Sequence, residues 1–298
     1  MKKVLVIAGP TASGKTAFSI RCAKMMNGEV ISGDSVQVYK GLDIGSGKVT
    51  EEEMDGVKHH LIDILEPTDS YNARDFQQMA RGLIDSSSVP MIICGGTGMY
   101  LKACLYDYTF QEEEGEGSVD SELEKYTDEE LYAMLLKTDP VQAEKIHPHN
   151  RRRMERCLTI YRRSGRRQSD IEKEQSHEMV YDAFIAGCTM PRDVLYERIN
   201  RRVEGMFERG LEAEVKGLLD QGITFDHPSM RGIGYQEWKG YFQGNLSLEE
   251  VKSEIQKHSR QFAKRQYTWL NHQMPVHWFD VRSEQDMMLE EIEKWRMN

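Results

Sequence analysis

Apolar residues fall in short runs separated by longer amphipathic stretches, and the alternation of the two sets the order of elements. The run Val4-Leu5-Val6-Ile7-Ala8 has the length of a buried strand, and residues 13–26 read as the helix that it feeds. Residues 29–32 predict a second strand that runs into a loop at Asp34; 60–64 predict a third, and 72–85 a helix. Residues 89–94 read as a central or near-central strand, with Pro90 at its start, where a missing N–H is tolerated. Gly95-Gly96-Thr97-Gly98 and a short helix over 99–105 follow. Residues 111–121, acidic and holding Gly115 and Gly117, predict a loop. Helical periodicity then takes over at 129–136 and 150–163, where Met154, Leu158 and Tyr161 share a face, arginines cover the other, and Gly165 stops the helix. The strand pattern returns at 183–188, and helices are predicted over 191–209 and 211–219. Ser229 to Tyr235 is too glycine-punctuated for a helix interior. Ser247-Leu248-Glu249-Glu250 has capping-box spacing and opens a helix to about Leu270, before a late strand at 275–280 and a terminal helix at 285–295.

Charge changes this picture. The 298 residues carry a net charge of −10, which argues against a general nucleic-acid coat. Yet Lys145 to Arg167 holds nine Lys or Arg against one acid, Glu155, and Lys252 to Arg265 holds five against Glu254. Such segregation suits a local polyanion footprint as well as a merely solvated helix face, and charge alone does not decide between them. The five cysteines are odd in number and widely spaced, which predicts reduced thiols and no zinc site. His59-His60 could ligate a metal, but adjacent side chains diverge in a strand, so a structural role is favoured. No apolar run is long enough to cross a bilayer, and the short N-terminal run passes into a glycine-rich loop; a cytoplasmic protein is expected.

That loop is the first candidate for chemistry. Gly9-Pro10-Thr11-Ala12-Ser13-Gly14-Lys15-Thr16 matches the eight-residue phosphate-loop pattern between a strand and a helix. Gly9, Thr11, Ala12, Ser13 and Gly14 would turn backbone N–H groups onto phosphate oxygens, Lys15 would neutralise charge, and Thr16 would contact Mg²⁺ directly or through water. The predicted fold is therefore α/β: a P-loop NTPase-like three-layer core with a mostly parallel sheet and a helical insertion domain. The expected division is 1–110 for the first part of the core, 111–177 for the basic helical insertion and 178–298 for the rest of the core and the C-terminal helices. A kinase or ATPase is the default reading of the loop, and the loop alone cannot choose.

The block from Ile31 to Gly45, with Asp34-Ser35-Val36-Gln37 at its centre, strongly resembles the corresponding block of the tRNA dimethylallyltransferases. The resemblance continues through His59 to Asp63, Gly95 to Tyr100, Asp139-Pro140, Ile146 to Pro148, Asn150 to Arg156, Gly232 to Glu237 and Lys264 to Trp269, in order along nearly the whole chain. It implies alkyl transfer: the exocyclic amine of adenine 37, beside the anticodon, attacks the first carbon of dimethylallyl diphosphate, and diphosphate leaves. Asp34 then matches the general base, and Arg231 and Thr97 match groups that meet the diphosphate opposite the loop. Ser35 and Gln37 match residues near the target adenine. The tRNA anticodon stem-loop is the implied partner, with Arg151, Arg152, Arg153, Arg156, Arg162, Arg163, Arg166 and Arg167 as candidate phosphate contacts on the insertion. About half of these arginines are expected to touch RNA, and Lys257, Arg260, Lys264 and Arg265 form a second candidate patch. Tyr267 and Trp269 are expected in core packing. Mg²⁺ is the implied cofactor and a monomer the expected state. Gly33 stands where the family more often has alanine, and prolines usual near residue 49 and at Arg167 are missing. The stretch after Tyr108 is shorter and more acidic than the family leads one to expect, and no C-terminal zinc-finger extension is expected, which points to the bacterial-type architecture. A P-loop kinase of a small alcohol and a non-catalytic RNA-binding module stand as the alternatives.

Overall fold

The computed structural model describes residues 1–110 and 120–298. The acidic run Glu112-Glu113-Glu114 and most of the loop expected over 111–121 lie outside the described residues; Ser121 opens a 3-10 turn, Ser121–Lys125. The chain forms two compact units, Met1–Tyr106 with Met179–Asn298, and Asp107–Glu178.

In the first unit six parallel strands, β1 (Lys3–Ala8), β2 (Glu29–Ser32), β3 (His59–His60), β4 (Met91–Gly95), β5 (Asp182–Thr189) and β6 (His277–Asp280), form one sheet in the order β3-β2-β4-β1-β5-β6. Alternation within each strand divides its side chains between two cores. Leu5, Ile7, Val30 and Ile92 pack with Phe18, Cys22 and Met26 of the helix Lys15–Met26 on one face. Val4, Val6, Ile31 and Ile93 pack on the other face with Phe76 and Ala80 of Ala73–Ser86 and Leu101 of Gly98–Leu105. Helices on both faces of a parallel sheet give the three layers.

Because all strands run one way, the residues that follow β1, β2 and β4 emerge at one edge of the sheet. These are Gly9, Gly33-Asp34 and Gly96-Thr97, on neighbouring strands, where ligands of such sheets bind. A third cluster, including Val38, Leu42, Val203, Met206, Tyr235, Trp238 and Ile255, anchors the loops that continue beyond that edge.

β3 is shorter than the 60–64 strand read from the sequence. Leu61 and Asp63 take positive φ values of 60° and 54°, which end the extended backbone. The N–H groups of Asp63 and Ile64 instead donate to the carbonyls of Gln37 and Val38, so this segment braces the loop after Asp34. Gly33 lies flat against β4, yet a Cβ there would meet Ile93 at 3.4 Å, an ordinary contact. The alanine more usual in the family would fit.

The second unit is helical: Asp128–Thr138, Pro140–Lys145, Arg151–Ser164 and Gln168–Glu174 around Leu123, Leu131, Leu135, Ile146, Met154 and Leu158. Asp139 caps Pro140–Lys145 through Gln142 N–H, and its second oxygen accepts from Ser169 N–H at 2.9 Å. Asn150 caps Arg151–Ser164, and Gly165 ends it at φ 70°. Tyr161, expected on the apolar face with Met154 and Leu158, is 37% exposed.

Candidate active site

Gly9 to Thr16 leaves β1 and curls over the start of the following helix. Gly9 has φ 142°, and a Cβ there would stand 2.6 Å from the Cys188 carbonyl oxygen, so only glycine fits. Ala12 is held at φ 62°, a left-handed conformation that costs about 1 kcal/mol or more and persists where the surroundings fix it. Lys15 Nζ donates to the Pro10 carbonyl at 2.6 Å across the loop. Loss of water lowers the Lys15 pKa from the usual lysine value; nearby Cys94, Cys188 and Asp34 raise it in part, and Arg202 lowers it further. Ser13 is fully buried with no hydrogen-bond partner for its hydroxyl, while its N–H donates to the Pro10 carbonyl at 3.3 Å.

Asp34 follows β2. Its Oδ1 accepts from the N–H groups of Val36 at 2.8 Å and Gln37 at 3.2 Å, which fixes the carboxylate plane and leaves Oδ2 without a protein hydrogen bond. Two cavities meet here. The larger, about 330 Å³, is lined by Ile199, Val203, Met206, Ile233, Ile255 and Phe262, together with Ser35, Thr97, Arg231 and Arg265. The smaller, about 100 Å³, is lined by Lys15, Thr16, Ser19, Gln37, Cys94, Gly95, Gly96 and Gln266. Asp34, Thr11, Ser46, Arg202 and Phe262 line both.

Of the sequence-read residues, Thr11, Lys15, Thr16, Asp34, Ser35, Gln37, Thr97, Arg231 and Arg265 line one or both cavities. Gln37 holds its amide within the chain, accepting from Ser32 Oγ at 3.2 Å and donating to the Gly47 carbonyl at 3.3 Å. Thr97 sits at the N-cap of Gly98–Leu105 but makes no capping bond with its side chain. Arg231 is exposed at the rim and donates to the Asp226 carbonyl at 3.0 Å.

The second basic patch divides. Lys257 pairs with Glu254 at 3.0 Å, Arg260 donates to Asn200 Oδ1 at 2.5 Å, Lys264 is exposed, and Arg265 lines the larger cavity. Tyr267 packs on Trp278 and Trp269 lies against Gly98, as core residues do.

On the helical unit, Arg151 donates to the carbonyls of Leu123, Glu124 and Tyr126 and pairs with Asp128 and Glu155. Arg162 pairs with Asp120 at 2.6 Å, which lowers the Asp120 pKa, and Arg166 pairs with Glu174. These side chains hold the unit together. Arg152, Arg153, Arg156, Arg163 and Arg167 stand exposed.

Three site residues were given no role in the sequence reading, although Gln266 falls within the Lys264 to Trp269 block that carries the resemblance. Gln266, buried, accepts from Thr11 N–H at 2.9 Å and donates to the Gly96 carbonyl at 3.0 Å, tying the loops after β1 and β4. Glu214 accepts from the N–H groups of Asp43, Ile44 and Gly45 and from Tyr235 OH at 2.8 Å, joining the 43–47 loop to the segment that carries Arg231. Arg202 lies three residues after Ile199 and four before Met206, on the buried stripe of Arg192–Glu208. A cation in that register is the signal that could have found it.

A loop of phosphate-loop pattern at the head of a parallel sheet, opening past one carboxylate onto an apolar cavity, gives the chain a P-loop-like architecture. The IPP transferase model matches residues 37–273, and the isopentenyl transferase model residues 2–70. The chain is 46% identical over 284 residues to the tRNA dimethylallyltransferase of Anoxybacillus flavithermus, covering 94% of this chain and 91% of the relative. It is 49% identical over 286 residues to the tRNA dimethylallyltransferase of Bacillus velezensis, covering 93% and 90%. Among solved structures, a tRNA delta(2)-isopentenylpyrophosphate transferase from Staphylococcus epidermidis superposes with a TM-score of 0.73 at 42% identity, covering 99% of this chain and 98% of that one. A eukaryotic dimethylallyltransferase acting on tRNA gives 0.81 at 29% identity, covering 96% and 76%. The chain belongs to the IPP transferase family.

Proposed function

We propose that the joined cavities bring the diphosphate of dimethylallyl diphosphate and a tRNA adenine to opposite sides of one reacting carbon. The activity is that of the family, transfer of a dimethylallyl group to adenine in tRNA. The target is the exocyclic amine of adenine 37 in an A-rich anticodon loop. The observation that carries the reading is the shared lining of the two cavities: the loop can hold an anion while Asp34 faces the larger, apolar space.

The amine is a weak nucleophile because its lone pair is delocalised into the ring. Asp34, fixed through Oδ1, takes its proton at Oδ2 as the nitrogen–carbon bond forms. The carbon–oxygen bond breaks as that bond forms, and its electron pair goes to diphosphate. Lys15 and the loop N–H groups meet the charge from one side, with Arg231 and Thr97 from the other. Ile199, Val203, Met206 and Phe262 take the five-carbon group and exclude water from the allylic carbon. A loop base enters at low cost because no Watson–Crick pair is lost. Ser35 meets the base in the larger cavity; Gln37 keeps the shape of the Asp34 loop and can exchange its long bond to Gly47 for a base edge.

Among the described residues no group of three or more His, Cys, Asp or Glu is placed to hold a metal ion. Mg²⁺ nevertheless fits the smaller cavity. It binds through oxygens and keeps several waters, and Thr16, in the lining of that cavity, would offer its hydroxyl. Bound there, Mg²⁺ would offset negative charge on the diphosphate.

The exposed arginines of the helical unit, Arg152, Arg153, Arg156, Arg163 and Arg167, are suited to the phosphates of the anticodon stem-loop. Among the described residues no helix is long and apolar enough to cross a membrane, and all five cysteines are free thiols; a monomer working in the cytoplasm is part of the proposal. Replacing Arg152, Arg153 and Arg156 together by glutamate is expected to weaken tRNA binding, measured by filter binding, and to flatten its salt dependence. Arg151→Met is expected instead to destabilise the helical unit by about 1–3 kcal/mol, read by hydrogen exchange of its amides. An unchanged salt slope in the triple variant contradicts the RNA assignment.

A further inference from the structure

Four successive N–H groups, those of Asp43, Ile44, Gly45 and Ser46, end on one pair of side chains. Glu214 Oε2 accepts from Asp43 at 3.1 Å and Ile44 at 2.7 Å, and its Oε1 accepts from Gly45 at 3.1 Å and from Tyr235 OH at 2.8 Å. The Tyr235 oxygen in turn accepts from Ser46 N–H at 3.2 Å. A carboxylate has about four acceptor sites, so this junction saturates Glu214.

The junction closes a seam between two walls of the larger cavity. Gly45 and Ser46 line one wall, and Gly232, Ile233 and Gln236 line the other. The two backbones meet at glycines: a Cβ on Gly234 would stand 2.7 Å from the Gly45 carbonyl oxygen, and one on Gly45 would stand 2.6 Å from Tyr235 Cζ. Each wall is also tied to the loop that starts at Asp34. Buried Lys48 donates to the Tyr39 carbonyl at 2.8 Å and pairs with Asp43 at 2.5 Å. On the other side a Cβ on Gly232 would stand 2.9 Å from Val36, whose N–H donates to Asp34. The contacts therefore form a ring, and Glu214 with Tyr235 is the link that joins its two arms. Neither residue is among the described residues that line the cavity, so both act on it through the walls.

We infer that Glu214, through Tyr235, is a positioning residue that keeps the larger cavity shut to water along this seam while the five-carbon group is in place. The inference rests on the proposed seating of that group in the larger cavity. An allylic carbon that is losing diphosphate reacts with whichever nucleophile reaches it. In the closed cavity that nucleophile is the adenine amine. Through a parted seam water attacks the same carbon, the carbon–oxygen bond breaks with its electron pair on diphosphate, and the products are a five-carbon alcohol, diphosphate and a proton. The closed seam thus couples diphosphate release to labelling of the RNA.

The test uses the full chain with Mg²⁺, unmodified tRNA and dimethylallyl diphosphate labelled in its five-carbon group, and measures diphosphate, labelled alcohol and labelled RNA in the same samples. The unsubstituted chain is expected to release one diphosphate for each group transferred. Tyr235→Phe keeps the ring and removes both hydrogen bonds of its oxygen, while Glu214→Gln keeps the length and removes the charge. Each is expected to slow transfer by about 10- to 100-fold, as small misplacements of a reacting site do. Each should also release diphosphate in excess of labelled RNA, with the excess matched by labelled alcohol. A purely structural role would lower both products together and leave their ratio at one. Hydrogen exchange on the unsubstituted chain does not depend on a variant folding, and it should show the amides of residues 43–46 protected. If both variants keep the ratio at one, or if those amides exchange as fast as an open loop, the inference is overturned and the transfer reading stands. If the unsubstituted chain labels no RNA, both fall.

Discussion

Replacing Asp34 by asparagine is expected to slow single-turnover transfer by about 10²- to 10⁴-fold, the usual worth of a positioned general base. Asparagine keeps the side-chain oxygen that accepts from Val36 and Gln37 N–H, so the loop should hold its shape. It removes the proton acceptor at Oδ2. Affinities for dimethylallyl diphosphate and for tRNA should change little, because neither depends on that oxygen taking a proton. Rapid-quench measurement with saturating enzyme separates the effects: a slowed chemical step with unchanged binding is the expected pattern. A chemical step as fast as that of the unsubstituted enzyme would remove Asp34 from the role of base.

The second large effect is expected at Lys15. Its side chain makes one hydrogen bond, to the Pro10 carbonyl, so Lys15→Ala should cost the fold only about 1 kcal/mol. Its loss to catalysis should be greater, about 10²- to 10³-fold in the chemical step, because a fixed cation in a water-poor site stabilises the leaving group as charge develops. Inorganic diphosphate should also inhibit the variant more weakly. A variant that binds diphosphate poorly but reacts at the normal rate once saturated would mean that Lys15 serves binding alone. Both results are read in the same rapid-quench experiment, with denaturation as the control for folding.

Most of the architecture was legible because it depends on local patterns. Val4 to Ala8 is apolar without a break, as a strand covered on both faces must be, and the glycines of the following loop announce a close backbone approach. Ser247 and Glu250 form the expected capping box at the start of the long helix. Where reading by pattern failed, nonlocal contacts prevailed. His60 to Ile64 is apolar enough for a strand, but its backbone finds partners in the Asp34 loop and turns away at Leu61.

The candidate site was legible where a motif marked it and illegible where only the folded geometry does. Asp34 and Thr97 lie just past the ends of β2 and β4, and Lys15 opens the helix that follows the loop after β1, so their convergence follows from the parallel sheet. Arg202, Gln266 and Glu214 reach the site from helices that are distant in sequence, and charge or amide content alone marks no such residue. The insertion shows the opposite limit. Its arginines look equivalent in sequence, yet Arg151 and Arg162 turn to acids and carbonyls of their own unit, while Arg152, Arg153 and Arg156 do not bury their charge in that way.

Incubating the full chain with Mg²⁺, unmodified tRNA and dimethylallyl diphosphate labelled in its five-carbon group, then digesting the RNA to nucleosides, tests the central claim most directly. Label on the exocyclic amine of adenine 37, with one diphosphate released for each group transferred and no need for ATP, is the predicted result. Folded protein that leaves the RNA unlabelled, or that phosphorylates a small alcohol at the expense of ATP, would contradict it.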